Sequence, residues 1–543
     1  MGRREGKIGF WEAFSIGVGG MIGGGIFAVL GLSIQLSHGG APVAFLLAGL
    51  IALATAYSYA KLSRRYPSEG GTIEFLVRAF GTGVLSGGLN VMLLASYVVM
   101  ISLYSYAFGS YGASLVGSNP LIKHALITLV IAAFTAVNAL GAVVSGRAED
   151  ALVGFKLAVL ILVVGAGMLF VDWGRLAPSN WPGPVSLVAG GMIIFLAYEG
   201  FELIANAGQD VEDPDVLPKA FYAAVLVVIT VYVLVAVVTV GNLPYDVIIK
   251  ARDYALAMAA KPSLGQAGFV LVAAAALAST SSAINATLYG TARASYMVAK
   301  YGQLPKAVEK PLWRQAYEGL IMISLASLVL ANTADLEEIS AAGSGGFLLI
   351  FLTVNLAALK LRREARVNPA VACVGAGATA AALAILTYRM ATIAPEKLVV
   401  FAVILASSFT IEYLYRKLTG REIAEYVDHR LKQREENIRR WFEWVPRLIH
   451  HLRQEFRDAE IYLVGSIARG EEHAAHDVDI LVVTENPPKS PEEERNVERR
   501  VKERAGLTPQ HPVDIHFTHR KKKEESLKKA KHYREVGGAT GGS

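Results

Sequence analysis

The sequence is poor in charge and nearly devoid of cysteine. Only 18% of its 543 residues are Asp, Glu, Lys or Arg, against about 25% in an ordinary soluble chain. That shortfall excludes a typical soluble protein. A single cysteine, Cys373, excludes an internal disulfide framework and a zinc cluster built on cysteines. With 53% hydrophobic residues, disorder and collagen are excluded too. The mean hydropathy is +0.41, and apolar runs long enough to cross a bilayer recur. The formal net charge, +6, is modest, so its placement matters more than its size. Residues 417–543 carry about half of all charged side chains, which marks a water-exposed segment behind a membrane body.

Apolar stretches fall near residues 9–36, 41–62, 83–116, 121–142, 150–171, 185–208, 220–241, 264–298, 317–332, 338–360, 368–388 and 395–416. They predict about twelve membrane helices. Arg3, Arg4 and Lys7 precede the first apolar stretch, and no small-residue cleavage site follows a short core, so this reads as an uncleaved span. The connections after spans 2, 8 and 10 are basic, with Arg64, Arg65, Lys306, Lys310, Arg362 and Arg363 among them. Those after spans 1 and 9 have no Lys or Arg. Basic connections stay inside, so a multi-pass protein of the cell membrane is expected, with its N-terminus and its C-terminal segment in the cytoplasm.

Gly17, Gly19, Gly20, Gly23, Gly24 and Gly25 crowd the first span. Small residues permit close helix packing. A cluster of them also favours local unwinding, because glycine pays the largest entropy cost in a helix. Backbone amides released within the membrane need a partner, and a ligand carboxylate is one. The sixth span holds Gly190-Gly191 and then Phe195-Leu196-Ala197-Tyr198-Glu199-Gly200-Phe201-Glu202. Carboxylates in an apolar span are expensive and point to function. Interruptions in spans 1 and 6 fit an inverted-repeat secondary transporter.

Four blocks, in order, resemble the amino acid–polyamine–organocation transporter superfamily. They are Gly17 to Phe27; Ala56 to Leu62 with Arg65 to Gly71; Phe195 to Glu202 with Glu212-Asp213-Pro214 and Pro218; and Ser282 to Ala286 through Arg293 to Pro305. The resemblance spans residues 8 to about 416. It implies an all-α membrane fold of five-plus-five inverted repeats with two extra helices, broken helices 1 and 6, and alternating access. It implies a substrate that is an amino acid or related amine. The substrate carboxylate would meet Gly23, Gly24 and Gly25, and its ammonium the carbonyls around Phe195, Ala197 and Tyr198. Lys156, in span 5, matches the lysine that stands in for sodium in proton-coupled members. Its ammonium would then reach carbonyls of helix 1 and a hydroxyl such as Ser281 or Ser282. A snorkelling role for Lys156, and a sodium site made by Ser279 to Ser282, stay open. Glu199 replaces a small or apolar residue of the family. It could pair with a cationic substrate, pair with Lys156 or relay protons, or equally face a watery vestibule with no selective role. Glu202 matches a common family glutamate and reads as structural.

Residues 417–444 read as a charged amphipathic linker and 445–520 as a small α/β domain, with a basic tail from 521 to 543 whose glycine-rich end resembles an expression remnant. Glu460 to Val464 reads as a strand entering a Gly465-Ser466 turn, and Asp477 to Val483 and Val513 to Phe517 as further strands. Strand alternation puts Asp477 and Asp479 on one face, where a hard divalent ion would relieve their repulsion. Gly-Ser, Asp-x-Asp and the lone Asp514 together resemble the minimal nucleotidyltransferase fold. That resemblance implies Mg2+ on a nucleoside triphosphate held by Asp477 and Asp479, with Asp514, which could also be a third metal ligand, helping to activate the acceptor; the Gly465-Ser466 turn could hold phosphate. His476 departs from the family's usual serine. The combined expectation is a proton-coupled transporter with a nucleotide-binding regulatory domain. The alternative is a membrane-tethered nucleotidyltransferase whose transporter part serves as sensor or anchor. Small-molecule substrate, lipids and nucleotide are the expected partners; no nucleic acid is expected, and a homodimer stays open.

Overall fold

The computed structural model describes residues 8–68, 70–140, 146–208, 211, 213–300, 311–312, 315–419, 436–438, 440–469, 478–488, 491–507, 511–530 and 532–536. The chain divides into two compact units, Met1–Ile423 and Ala424–Ser543.

The first unit is helical because lipid offers its backbone no hydrogen-bond partners, so each apolar stretch must satisfy its own. The first span is two helices, α1 (Phe10–Met21) and α2 (Gly25–Ser37). At the break, Gly24 has φ −153° and ψ −15°, outside the helical range. His38, with φ 49°, ends α2, and α3 (Ala41–Arg65) returns. Then come α4 (Val84–Leu115), α5 (Pro120–Ala139) and α6 (Gly146–Gly167). The sixth span is again interrupted. Helix α7 (Pro184–Ile193) gives way to a tight 3-10 turn, Phe195–Tyr198, and the short α8 (Leu203–Asn206), with a 48° bend between the halves. The remaining spans are α9 (Val216–Asn242), α10 (Ala255–Lys300), α11 (Tyr317–Thr333), α12 (Leu336–Lys360), α13 (Pro369–Ile393) and α14 (Pro395–Thr419).

By length and composition, nine stretches among the described residues can cross a membrane, or ten with the bent sixth span. One of them, Gly25–Arg65, is 41 residues long, about twice what one crossing needs. It makes two passes: Gly17 packs on Ala224 and Met21 meets Tyr232 along α9, whereas Phe45 meets Tyr232 and Tyr59 meets Phe221. Helix α3 therefore runs opposite to α1. With the shorter apolar helix Gly319–Thr333, the expected twelve crossings are present. Span 8 was expected from residue 264. Helix α10 begins earlier, at Ala255, but Gly265 (φ 63°) breaks it three residues after Pro262, so the crossing itself starts where the hydropathy placed it.

In the second unit, α15 (Trp441–Glu455) precedes a four-stranded sheet. Its strands are β1 (Glu460–Val464), β2 (Val478–Thr484), β3 (Val513–His519) and β4 (Tyr533–Glu535), in the order β3-β2-β1-β4. Strand β1 is antiparallel to β2 and β4, and β2 is parallel to β3. The amphipathic face of α15 (Trp444, Val445, Leu448, Leu452) joins Ile461, Leu463, Ile480 and Val482 in the core, with Val497 and Val501 of α16 (Pro491–Arg504). The fold continues past residue 520, which was expected to begin a solvated tail. Helix α17 (Lys523–Ala530) follows, Lys523 ion-pairs with Glu460, and β4 completes the sheet.

Candidate functional site

The break in the first span exposes carbonyls that side chains from three other helices cap. Lys156 of α6, only 1% exposed, donates to the Gly19 carbonyl at 3.1 Å. The Tyr232 hydroxyl of α9 lies 2.6 Å from the Met21 carbonyl and 3.1 Å from the Ala197 carbonyl, so its one hydrogen can be donated to either of the two breaks. Ser279 of α10 reaches the carbonyls of Ile22 at 2.6 Å and Gly23 at 2.5 Å. The amide of Gly23 donates to Gly20 at 3.1 Å, so it is already engaged. Gly24 and Gly25 stand at the opening of α2, where amides have no acceptor within the helix and the dipole is positive.

The sixth span meets this opening backbone to backbone. A Cβ on Gly25 would lie 2.7 Å from the Ala197 Cα, and one on Gly24 would lie 2.3 Å from Cδ1 of Tyr104. The tightest crossing is at Gly200, whose φ of 116° suits only glycine. A Cβ there would lie 2.5 Å from the carbonyl carbon of Gly20. Phe195 packs on Phe351, and the Tyr198 hydroxyl is held by the Phe45 carbonyl at 2.8 Å. Ser340 and Ser344 of α12 cap the Ile193 carbonyl at 2.6 and 2.8 Å, and Leu196 donates to Ser344. Glu199 and Glu202 are both buried.

Of the residues singled out from sequence, Gly25 and Ala197 meet directly, Lys156 reaches the same interrupted span at Gly19, and the Tyr198 hydroxyl turns to Phe45. The α10 hydroxyl that reaches the carbonyls of the first span is that of Ser279. The reason is helical phase: α10 turns Ser279 toward Ile22 and Gly23. Tyr232 was missed, since a tyrosine in an apolar span reads as packing; its only signal was a polar tip needing a partner.

In the second unit, Asp479 and Asp514 are register partners on the parallel strands β2 and β3. They share a face with His516, whose Nε2 lies 3.7 Å from an Asp479 oxygen. Gly465, φ 73°, closes one side: a Cβ there would lie within van der Waals radius of the Asp479 carboxylate. Asp477 and His476 lie outside the described residues, as does the side chain of Ser466. Among the described residues no group of three His, Cys, Asp or Glu is placed to hold a metal ion. His516 was missed because it is an isolated histidine two positions after Asp514.

The chain matches the amino acid permease family over residues 8–411 and a nucleotidyltransferase domain over 445–536. An inner membrane transport protein of Escherichia coli (strain K12), YbaT, is 34% identical over 372 residues, covering 68% of this chain and 86% of that protein. An uncharacterised protein of Methanocaldococcus jannaschii is 39% identical over 354 residues, 64% of this chain and 81% of its own length. The branched-chain amino acid permease BcaP of Bacillus subtilis is 24% identical over 385 residues, 66% of this chain and 81% of that one. The chain belongs to the amino acid permease family. It is a multi-pass membrane transporter of small molecules with a nucleotidyltransferase domain at its C-terminal end.

Proposed function

We propose that the protein is a proton-coupled transporter of amino acids or related amines that works by alternating access. The guest's carboxylate binds the amides of Gly24 and Gly25, and its ammonium competes for carbonyls of the two breaks. The observation that carries this reading is Lys156: an amine buried in the membrane and bonded to the Gly19 carbonyl of the interrupted helix. When charged, it bridges α6 to α1; when neutral, it loosens that bridge, so protonation is tied to the position of the first span. The termini face the cytoplasm in this scheme. The test is uptake into proteoliposomes under an imposed pH gradient. Wild-type protein is expected to accumulate amino acid with the gradient, and Lys156→Ala to exchange substrate without responding to it. Uptake indifferent to the gradient in both would refute the coupling.

A second reading concerns the tail. The pairing of Asp479 with Asp514 across β2 and β3 supports a nucleotide site there. Two neighbouring carboxylates and the glycine turn fit a divalent cation, with Asp477 as the further ligand. Such an ion would neutralise a nucleoside triphosphate's phosphates. Gly465 lets the turn's backbone approach that triphosphate, and the bound nucleotide regulates transport.

A further inference from the structure

The scheme above leaves the carboxyls of Glu199 and Glu202 unused. They are 4% and 1% exposed, and they lie within hydrogen-bonding reach of each other across Gly200. One oxygen of Glu202 accepts the Gly200 amide at 2.7 Å. Its other oxygen is buried without a donor among the described residues. Both carboxyls act on the buried phenols of Tyr59, Tyr97 and Tyr104 around them. Glu199 directly follows the Phe195–Tyr198 turn, whose Ala197 backbone meets Gly25, and Tyr104 is the ring that lies over Gly24, so Glu199 stands on the side of the guest's amides.

Two carboxylates in contact away from water cannot both stay charged. Sharing one proton leaves the pair with a single negative charge. A guest with a neutral side chain would leave that charge buried and uncompensated. A guest with an ammonium side chain would neutralise it, against aromatic faces that favour cations. Resting on the transport reading above, we propose that Glu199, backed by Glu202, determines specificity and that the transporter's guest is a basic amino acid.

The test uses the full chain in liposomes preloaded with a mixture of unlabelled amino acids, and follows counterflow of labelled lysine and labelled leucine. Lysine is expected to enter in preference to leucine and to be displaced by arginine and ornithine. Glu199→Gln should bind lysine about tenfold more weakly or worse, the least that losing a charge-assisted hydrogen bond costs, while leucine entry holds or rises. Glu199→Asp, which keeps the charge, should retain the lysine preference and so separates lost recognition from lost folding. Leucine preferred over lysine by the wild type would overturn the inference alone. So would an unchanged lysine-to-leucine ratio in Glu199→Gln, including one in which only the pH dependence moved. Counterflow of neither label would overturn the transport reading and this inference with it.

Discussion

Replacing Gly200 by alanine probes the crossing of the two broken spans. Its backbone has φ 116°, and the new methyl would stand 2.5 Å from the Gly20 carbonyl carbon and 2.6 Å from the Met21 amide nitrogen. Neither atom can swing aside as a side-chain tip would. The strained backbone costs on the order of 1–3 kcal/mol, and overpacking adds roughly 1–3 kcal/mol. The sum, roughly 2–6 kcal/mol, exceeds what a typical point substitution removes. Gly165 is the matched control. It lies in α6, and a Cβ there meets nothing within 4 Å, so Gly165→Ala should gain about 0.5–1 kcal/mol from helix propensity. Thermal unfolding followed by size-exclusion chromatography of the detergent-solubilised protein reads both, and liposome uptake reads function. Gly200→Ala is expected to melt well below wild type and to lose transport, with Gly165→Ala unchanged or slightly more stable. A Gly200→Ala protein that melts and transports like wild type would refute the tight crossing.

The tail yields two further expectations. Burial first, then Lys502 and Arg447, lowers the pKa of His511 from 6.5 to about 4. The folded tail thus holds this ring neutral where the unfolded chain would protonate it. Stability from this source is complete above about pH 6.5 and is lost as pH falls toward 4. His511→Phe should flatten the melting temperature of the tail's transition across that window, and an equal acid slope in both proteins would exclude this ring as its source. Magnesium with a nucleoside triphosphate should raise the same transition by mass action, and Asp479→Asn should abolish the rise. An equal rise in the variant would remove Asp479 from the site.

The broken first span was legible because six glycines in nine residues state it in composition. Lys156 was legible as a charge with no business in lipid. What faces what was not. Ser279 and Ser281 differ by two residues, or about 200° around a helix, and hydropathy does not say which side meets the first span. Tyr232 carries no charge to betray it. In the tail, short apolar runs marked β1, β2 and β3, whereas β4 is three exposed residues that pair only because β1 offers an edge. The Asp479–Asp514 juxtaposition was legible only through the resemblance, since no local pattern encodes the parallel register that makes it.

The tyrosine of α9 has one hydroxyl hydrogen and two carbonyls within its reach. It can serve only one of them at any instant, so it can swing between the two breaks. In the transport scheme proposed above, an amine that takes one of these carbonyls would confine the phenol to the other. Entry of cargo would thereby settle a local indecision, and a swivel shared by the two interrupted rods becomes a fixed strut.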